Sequence, residues 1–327
     1  MNKPLIEIPA VNKIPKMDNS KSIDWGDFEL GPLPSQCSMT ISEDNINRWC
    51  SLYDDDASLY VKKAPDYISY YSGQNIVTPF RDISAGLATL EVDFYNSIPR
   101  DVPLAVTGQV INKSVRKGRG YVEWETSIFE NNDLLQKNRR SWFFTIPEED
   151  INKFPEKEAS SPIPPRPEIW ETEGLSLLLS QDRMNDFEGP GEINGHTNVE
   201  LAKKQGNPGP LAQGAFGFGL ITRLLAKDFT NQFTHGGKMS LKFVRPVWAG
   251  EQIHAFYSII DDKSLRVWVE KDNKEEGHHQ EDCQEGREES SKEEGHKEKE
   301  HNQESSEEKS CKESRYSPQS RGRRSKG

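Results

Sequence analysis

Apolar and polar residues alternate along this chain in short runs, and the runs form two similar series. In the first, Tyr121-Val122-Glu123-Trp124-Glu125-Thr126 alternates with period two, as a strand buried on one face does. Strands are predicted on either side of it, Leu104 to Ile111 and Ser141 to Ile146, with a hairpin turn at Lys117-Gly118-Arg119-Gly120. Upstream, Ser38 to Asp44 predicts a short strand that runs into a Ser-capped helix, Asp44 to Tyr53. Leu90 to Tyr95 predicts a further strand that leads to Ile98-Pro99.

The second series repeats this order. Leu177-Leu178-Leu179 leads through Ser180 into a capped helix that ends near Phe187. Met239 to Val244 runs to Arg245-Pro246, a strand follows from Glu251 to Ile260, and Asp261-Asp262-Lys263 turns into Leu265 to Val269. Two copies of one supersecondary order read as an internal repeat. The second copy is one strand short, because a polar tail begins where its last strand should lie. Leu211 to Asp228 predicts a long central helix with Leu211, Phe216, Leu220, Leu224 and Leu225 on overlapping turns. Gly214, Gly217 and Gly219 each cost roughly 1 kcal/mol there relative to Ala. That cost makes sense where something packs very close, such as a sheet wrapped round the helix or a ligand at its first turn.

Between the series, Pro147, Pro155, Pro162, Pro164, Pro165 and Pro167 predict an extended linker without helix or central strand. The resulting division is a loose lead-in over 1–34, a first unit over 35–147, a linker over 148–174, a second unit over 175–270 and a tail over 271–327. From Lys271 to Gly327 there is no Leu, Ile, Val, Met, Phe, Trp or Ala, which predicts a disordered tail.

Composition narrows the function classes. The chain has 327 residues, 33% of them apolar, and a mean hydropathy of −0.83. No apolar run reaches the ~18 residues of a membrane span, and Met1 to Ser20 has no apolar core of signal-peptide length. The formal charge is −11; the tail holds 13 Lys/Arg against 16 Asp/Glu, so −8 falls on the rest, which argues against nucleic acid as the main ligand. Cys37, Cys50, Cys283 and Cys311 are scattered, form no CxxC pair, and read as free thiols rather than a disulfide or zinc framework. A cytoplasmic location is expected, since the final Ser325-Lys326-Gly327 departs from the SKL peroxisomal address. His278, His279, His296 and His301 read as solvated low complexity rather than a metal site.

Three segments carry a family resemblance: Gly195 to Gly206, Pro210 to Gly217, and Lys242 to Glu251. They resemble the motifs of the MaoC-like acyl-CoA dehydratases, relatives of the (R)-specific enoyl-CoA hydratase 2 family. The likeness spans about residues 175 to 270, and 35 to 147 resembles the family's degenerate N-terminal domain more weakly. It implies an α+β fold of two tandem hot-dog domains, each an antiparallel sheet wrapped round a central helix. It also implies that a carboxylate and a histidine add water to a 2-enoyl thioester, with a backbone N–H as oxyanion donor.

Carried over, His196 is the histidine and Gly214 the oxyanion donor. The family's Asp position, five before the histidine, is Gly191 here. Glu192, four before it, replaces that Asp if the loop is one residue shorter; otherwise the site is a relic that binds acyl thioesters without hydrating them. Asn194, Asn198, Gln213, Gly217 and Arg245 fall at substrate-binding positions. In the first unit Tyr60 takes the histidine's place after Asp54-Asp55-Asp56, so that unit has no catalytic pair and shapes the acyl tunnel. The implied partner is an acyl-CoA or acyl-carrier thioester, with no cofactor and a homodimer as assembly. A non-catalytic acyl-thioester-binding protein and an acyl-CoA thioesterase are the alternatives; the second would need a carboxylate on the central helix, where Gln213 and Gly214 stand.

Overall fold

The computed structural model describes residues 25–32, 37–70, 85–156, 162–167, 174–189, 191–229, 232–272 and the backbone of 312–316. Its strands are β1 (Gly31–Pro32), β2 (Cys37–Thr40), β3 (Ala85–Phe94), β4 (Pro103–Arg116), β5 (Arg119–Glu130), β6 (Asp133–Thr145), β7 (Leu175–Leu178), β8 (Lys238–Lys242), β9 (Gln252–Asp261), β10 (Ser264–Lys271) and β11 (Lys312–Tyr316). Among the described residues four α-helices accompany them: α1 (Glu43–Leu52), α2 (Gln181–Glu188), α3 (Val199–Lys204) and α4 (Gly214–Phe229).

All strands join one antiparallel sheet in the order β1-β4-β5-β6-β3-β8-β11-β10-β9-β7, with β2 also on β4. Read from its middle, the sheet is the same unit twice. The first runs β2-β4-β5-β6-β3 and the second β7-β9-β10-β11-β8, joined where β3 pairs β8. The turns follow local chemistry. Lys117 and Gly118 both have positive φ, 49° and 71°, as a two-residue hairpin of matching twist requires. Alternation in β5 places Val122, Trp124 and Ile128 inward, as its period-two pattern predicts.

Three expectations change. The second unit does not lack its last strand: Lys312–Tyr316, from the tail, pairs antiparallel with both β8 and β10. That slot has unpaired backbone on both sides, and backbone pairing needs no apolar side chains to be satisfied. The remaining tail, 273–311 and 317–327, lies outside the described residues, as do 1–24 of the lead-in. The lead-in is not loose throughout, because Trp25 and Phe28 are buried and β1 pairs β4. The Pro-rich linker is not free of helix, since Glu148–Asp150 form a 3-10 turn, and its described residues are fastened to both units. Val115 N–H donates to Pro155 O at 2.9 Å, and Arg166 pairs with Glu270 at 3.0 Å.

Helix α4 lies at the centre with ten of its residues buried. One glycine there has a visible cause. A Cβ on Gly219 would stand 2.1 Å from Tyr53 Cε1 in the first unit, whose hydroxyl donates to Ala215 O at 2.9 Å. Gly219→Ala therefore forces a buried ring and a helix apart. It is expected to cost about 3 kcal/mol, read as a lowered midpoint in chemical denaturation; an unchanged midpoint would show that the two units are not in this contact.

Candidate active site

His196 lies in the loop between α2 and α3, and the loop is built to hold it. Ser180 caps α2 by accepting from Arg183 N–H at 3.2 Å, and the chain leaves α2 through Gly189 (φ 105°) and Gly191 (φ 79°). Asn194 Oδ1 then accepts the His196 N–H at 2.8 Å, while Gln181 Nε2 donates to His196 O at 3.0 Å. Both main-chain polar groups of the histidine are thus occupied. Its ring Nδ1 bonds to the carbonyl oxygen of Leu211. A carbonyl only accepts, so this assigns the proton to Nδ1 and leaves the Nε2 lone pair for chemistry.

The residues before α4 are fixed just as closely. Leu211 N–H donates to Gly195 O at 3.1 Å, and Ala212 N–H to Val247 O at 2.8 Å. The motif at 242–251 thereby positions the first turn of α4, where Gly214 carries one of the N–H groups a helix leaves without an internal acceptor. A Cβ on Gly214 would meet Phe243 at 3.0 Å and Leu87 of β3 at 3.1 Å, so that N-terminus is walled by both units.

The carboxylate beside this loop is Glu188, which sequence reasoning missed. It is half-buried at the end of α2. Gln213 Nε2 donates to its Oε1 at 2.6 Å and Asn194 Nδ2 to its Oε2 at 2.9 Å. Gln213 is only 4% exposed, and its own Oε1 has no hydrogen-bond partner among the described residues. One amide, Asn194, therefore links the carboxylate to the histidine backbone, and another, Gln213, links it to the helix N-terminus. No sequence signal marks Glu188, which ends α2 before the loop begins.

The other candidates divide. Asn194 and Gln213 join the cluster through Glu188. Asn198 is the N-cap of α3, its Oδ1 accepting from Leu201 N–H at 2.9 Å. Gly217 is buried within α4. Arg245 is half-exposed at the strand corner and pairs with no acid among the described residues. Glu192 is exposed on the rim of an open groove of about 210 Å³ that also takes in Arg48, Asp186 and Thr197 and does not reach His196.

In the first unit the acidic run is locking structure. Tyr60 and Tyr67 hydroxyls donate to Asp55 Oδ2 at 2.7 and 3.0 Å, and Arg223 of α4 meets its Oδ1 at 3.2 Å. Asp54 takes Arg183 at 3.0 Å, and Asp56 accepts from Ser58 N–H at 2.9 Å. Burial pushes the neighbouring Cys50 thiol up to about 11, so it is an inert thiol. No group of three or more His, Cys, Asp or Glu able to hold a metal occurs among the described residues, and the tail histidines lie outside them.

Two helix-bearing units that share one continuous antiparallel sheet define a double hot-dog protein. The comparison with solved structures bears this out. A putative MaoC domain protein dehydratase from Chloroflexus aurantiacus is similar at TM-score 0.58 and 14% identity, over 94% of this chain and 100% of that one. A MaoC-like dehydratase from Phytophthora capsici is similar at TM-score 0.56 and 15% identity, over 74% and 90%. A Mycobacterium tuberculosis protein described as having a double hotdog fold matches at TM-score 0.54 and 11% identity, over 90% and 94%. No family model and no curated protein matches the chain. At these identities the likeness shows the fold. No helix among the described residues is long and apolar enough to cross a membrane.

Proposed function

We propose that the protein adds water to 2-enoyl thioesters of CoA or a carrier protein, and catalyses the reverse dehydration. The observation that carries this reading is the pairing of a histidine whose Nε2 is free with a fixed carboxylate, both tied to the N-terminus of α4. The thioester oxygen takes the Gly214 N–H. Water, held by Glu188, bonds through its oxygen to C3 while His196 Nε2 takes its proton. The double-bond electrons move toward the thioester oxygen, where the N–H and the helix dipole stabilise the developing charge. The enolate then collects a proton at C2 from the His196 imidazolium, which returns to neutral. Hydrogen and hydroxyl have been added and no cofactor is consumed, because the thioester carbonyl serves as the electron sink.

Mixing the purified protein with crotonyl-CoA tests this. The enoyl absorbance should fall as 3-hydroxybutyryl-CoA forms, with no free thiol. Stable absorbance would contradict the reading, and thiol release would point to thioester hydrolysis instead.

A further inference from the structure

The inward face of the first unit carries a polar stripe that hydration does not use. Along β6 the alternate residues Gln136, Asn138 and Arg140 point the same way, and all are buried, Arg140 to 1% exposure. Thr126 of β5 lies opposite Asn138 on the same face and is buried with them. Arg140 Nη2 donates to Tyr70 O, and its guanidinium lies 4.2 Å from the Tyr70 ring. Its Nε and Nη1, both amide atoms of Gln136 and of Asn138, and Thr126 Oγ1 have no hydrogen-bond partner among the described residues. Nor does any described carboxylate pair with Arg140. Burial pulls its pKa down only to about 10, so it remains a cation at neutral pH.

A buried cation without a counter-charge is costly, and each orphaned polar group adds to that cost. A cluster of seven such atoms on one face is a set of donors and acceptors awaiting a ligand. A planar guanidinium flanked by amides and a hydroxyl matches a carboxylate, which can take two parallel hydrogen bonds from it. The placement says which carboxylate. Leu87 of β3 touches Gly214, and Leu90, paired with Arg140, lies about 10 Å further along the same strand. Tyr70, over Arg140, packs 6.1 Å from Phe218 of α4.

We infer that Arg140, with Asn138, Gln136 and Thr126, binds a carboxylate at the far end of the acyl group, so that the substrates are monothioesters of dicarboxylic acids. The inference rests on the proposed thioester position at Gly214. Its test is calorimetric binding to the full chain of two saturated thioesters that cannot be hydrated: adipoyl-CoA, and hexanoyl-CoA, which ends in a methyl group. Adipoyl-CoA should bind ~10- to 10²-fold more tightly, the range of a charge-assisted hydrogen bond. Arg140→Gln should abolish that preference while hexanoyl-CoA changes by less than ~3-fold. Equal affinities in the wild-type protein would overturn the inference and leave the thioester reading standing. Absence of binding by either would overturn both. Should Arg140→Gln fail to fold, the wild-type comparison decides, with Asn138→Leu expected to weaken adipoyl-CoA alone.

Discussion

His196→Ala is expected to lower the turnover of crotonyl-CoA by ~10²-fold or more, the scale of a positioned acid–base group. In the proposed reaction His196 both takes the water proton and returns it at C2, and the variant removes it. Among the described residues beside it, Glu188 is held by two amide donors and Gln213 does not titrate, so neither replaces it in both steps. Stability should move little. The loop keeps its backbone bonds from Asn194 and Gln181, and only the ring contact to Leu211 O is lost, worth about 1 kcal/mol. The checks are steady-state kinetics beside a thermal melt. A collapse in Tm would assign His196 to the scaffold, and undiminished turnover would remove it from the chemistry.

Cutting the chain after Asp272 should lower Tm by ~10 °C or more, several kcal/mol for a protein of this size. The cut leaves β10 whole but removes β11, which pairs Glu313 to Tyr316 with β8 and Lys312 to Tyr316 with β10. Two strands deep in one sheet would then face each other across an empty slot, with N–H and C=O groups on both edges unpaired. Composition alone argues the opposite outcome, since the tail has no apolar run to lose. Scanning calorimetry decides, and equal melting of full and shortened chains would refute the strand's role.

That contrast marks what can be read in the sequence. Strand alternation and Ser caps record local rules, so α1 and α2 were legible nearly to the residue and β5 in its middle, and the repeated order exposed two units. β11 was not, because a strand held by backbone bonds on both sides leaves no period-two signature in Lys312-Glu313-Ser314-Arg315-Tyr316. Tyr53 against Gly219 was visible only as a glycine that calls for a close neighbour, without saying which. In the site, His196 and Gln213 stood within motifs, whereas Glu188 joins them through hydrogen bonds spanning 6 and 25 residues, which no spacing rule encodes. Reading the loop as a fixed offset from the histidine singled out Glu192 instead.

The two carboxylates therefore give the most direct test of the site. Turnover of crotonyl-CoA should be measured for the wild-type protein, Glu188→Gln and Glu192→Gln under the same conditions, since each change keeps the side-chain volume and removes the charge. The geometry predicts a loss of ~10²-fold or more for Glu188→Gln, which no longer positions the water, and a change within ~3-fold for Glu192→Gln, an exposed rim residue. Full activity in Glu188→Gln with loss in Glu192→Gln would contradict it.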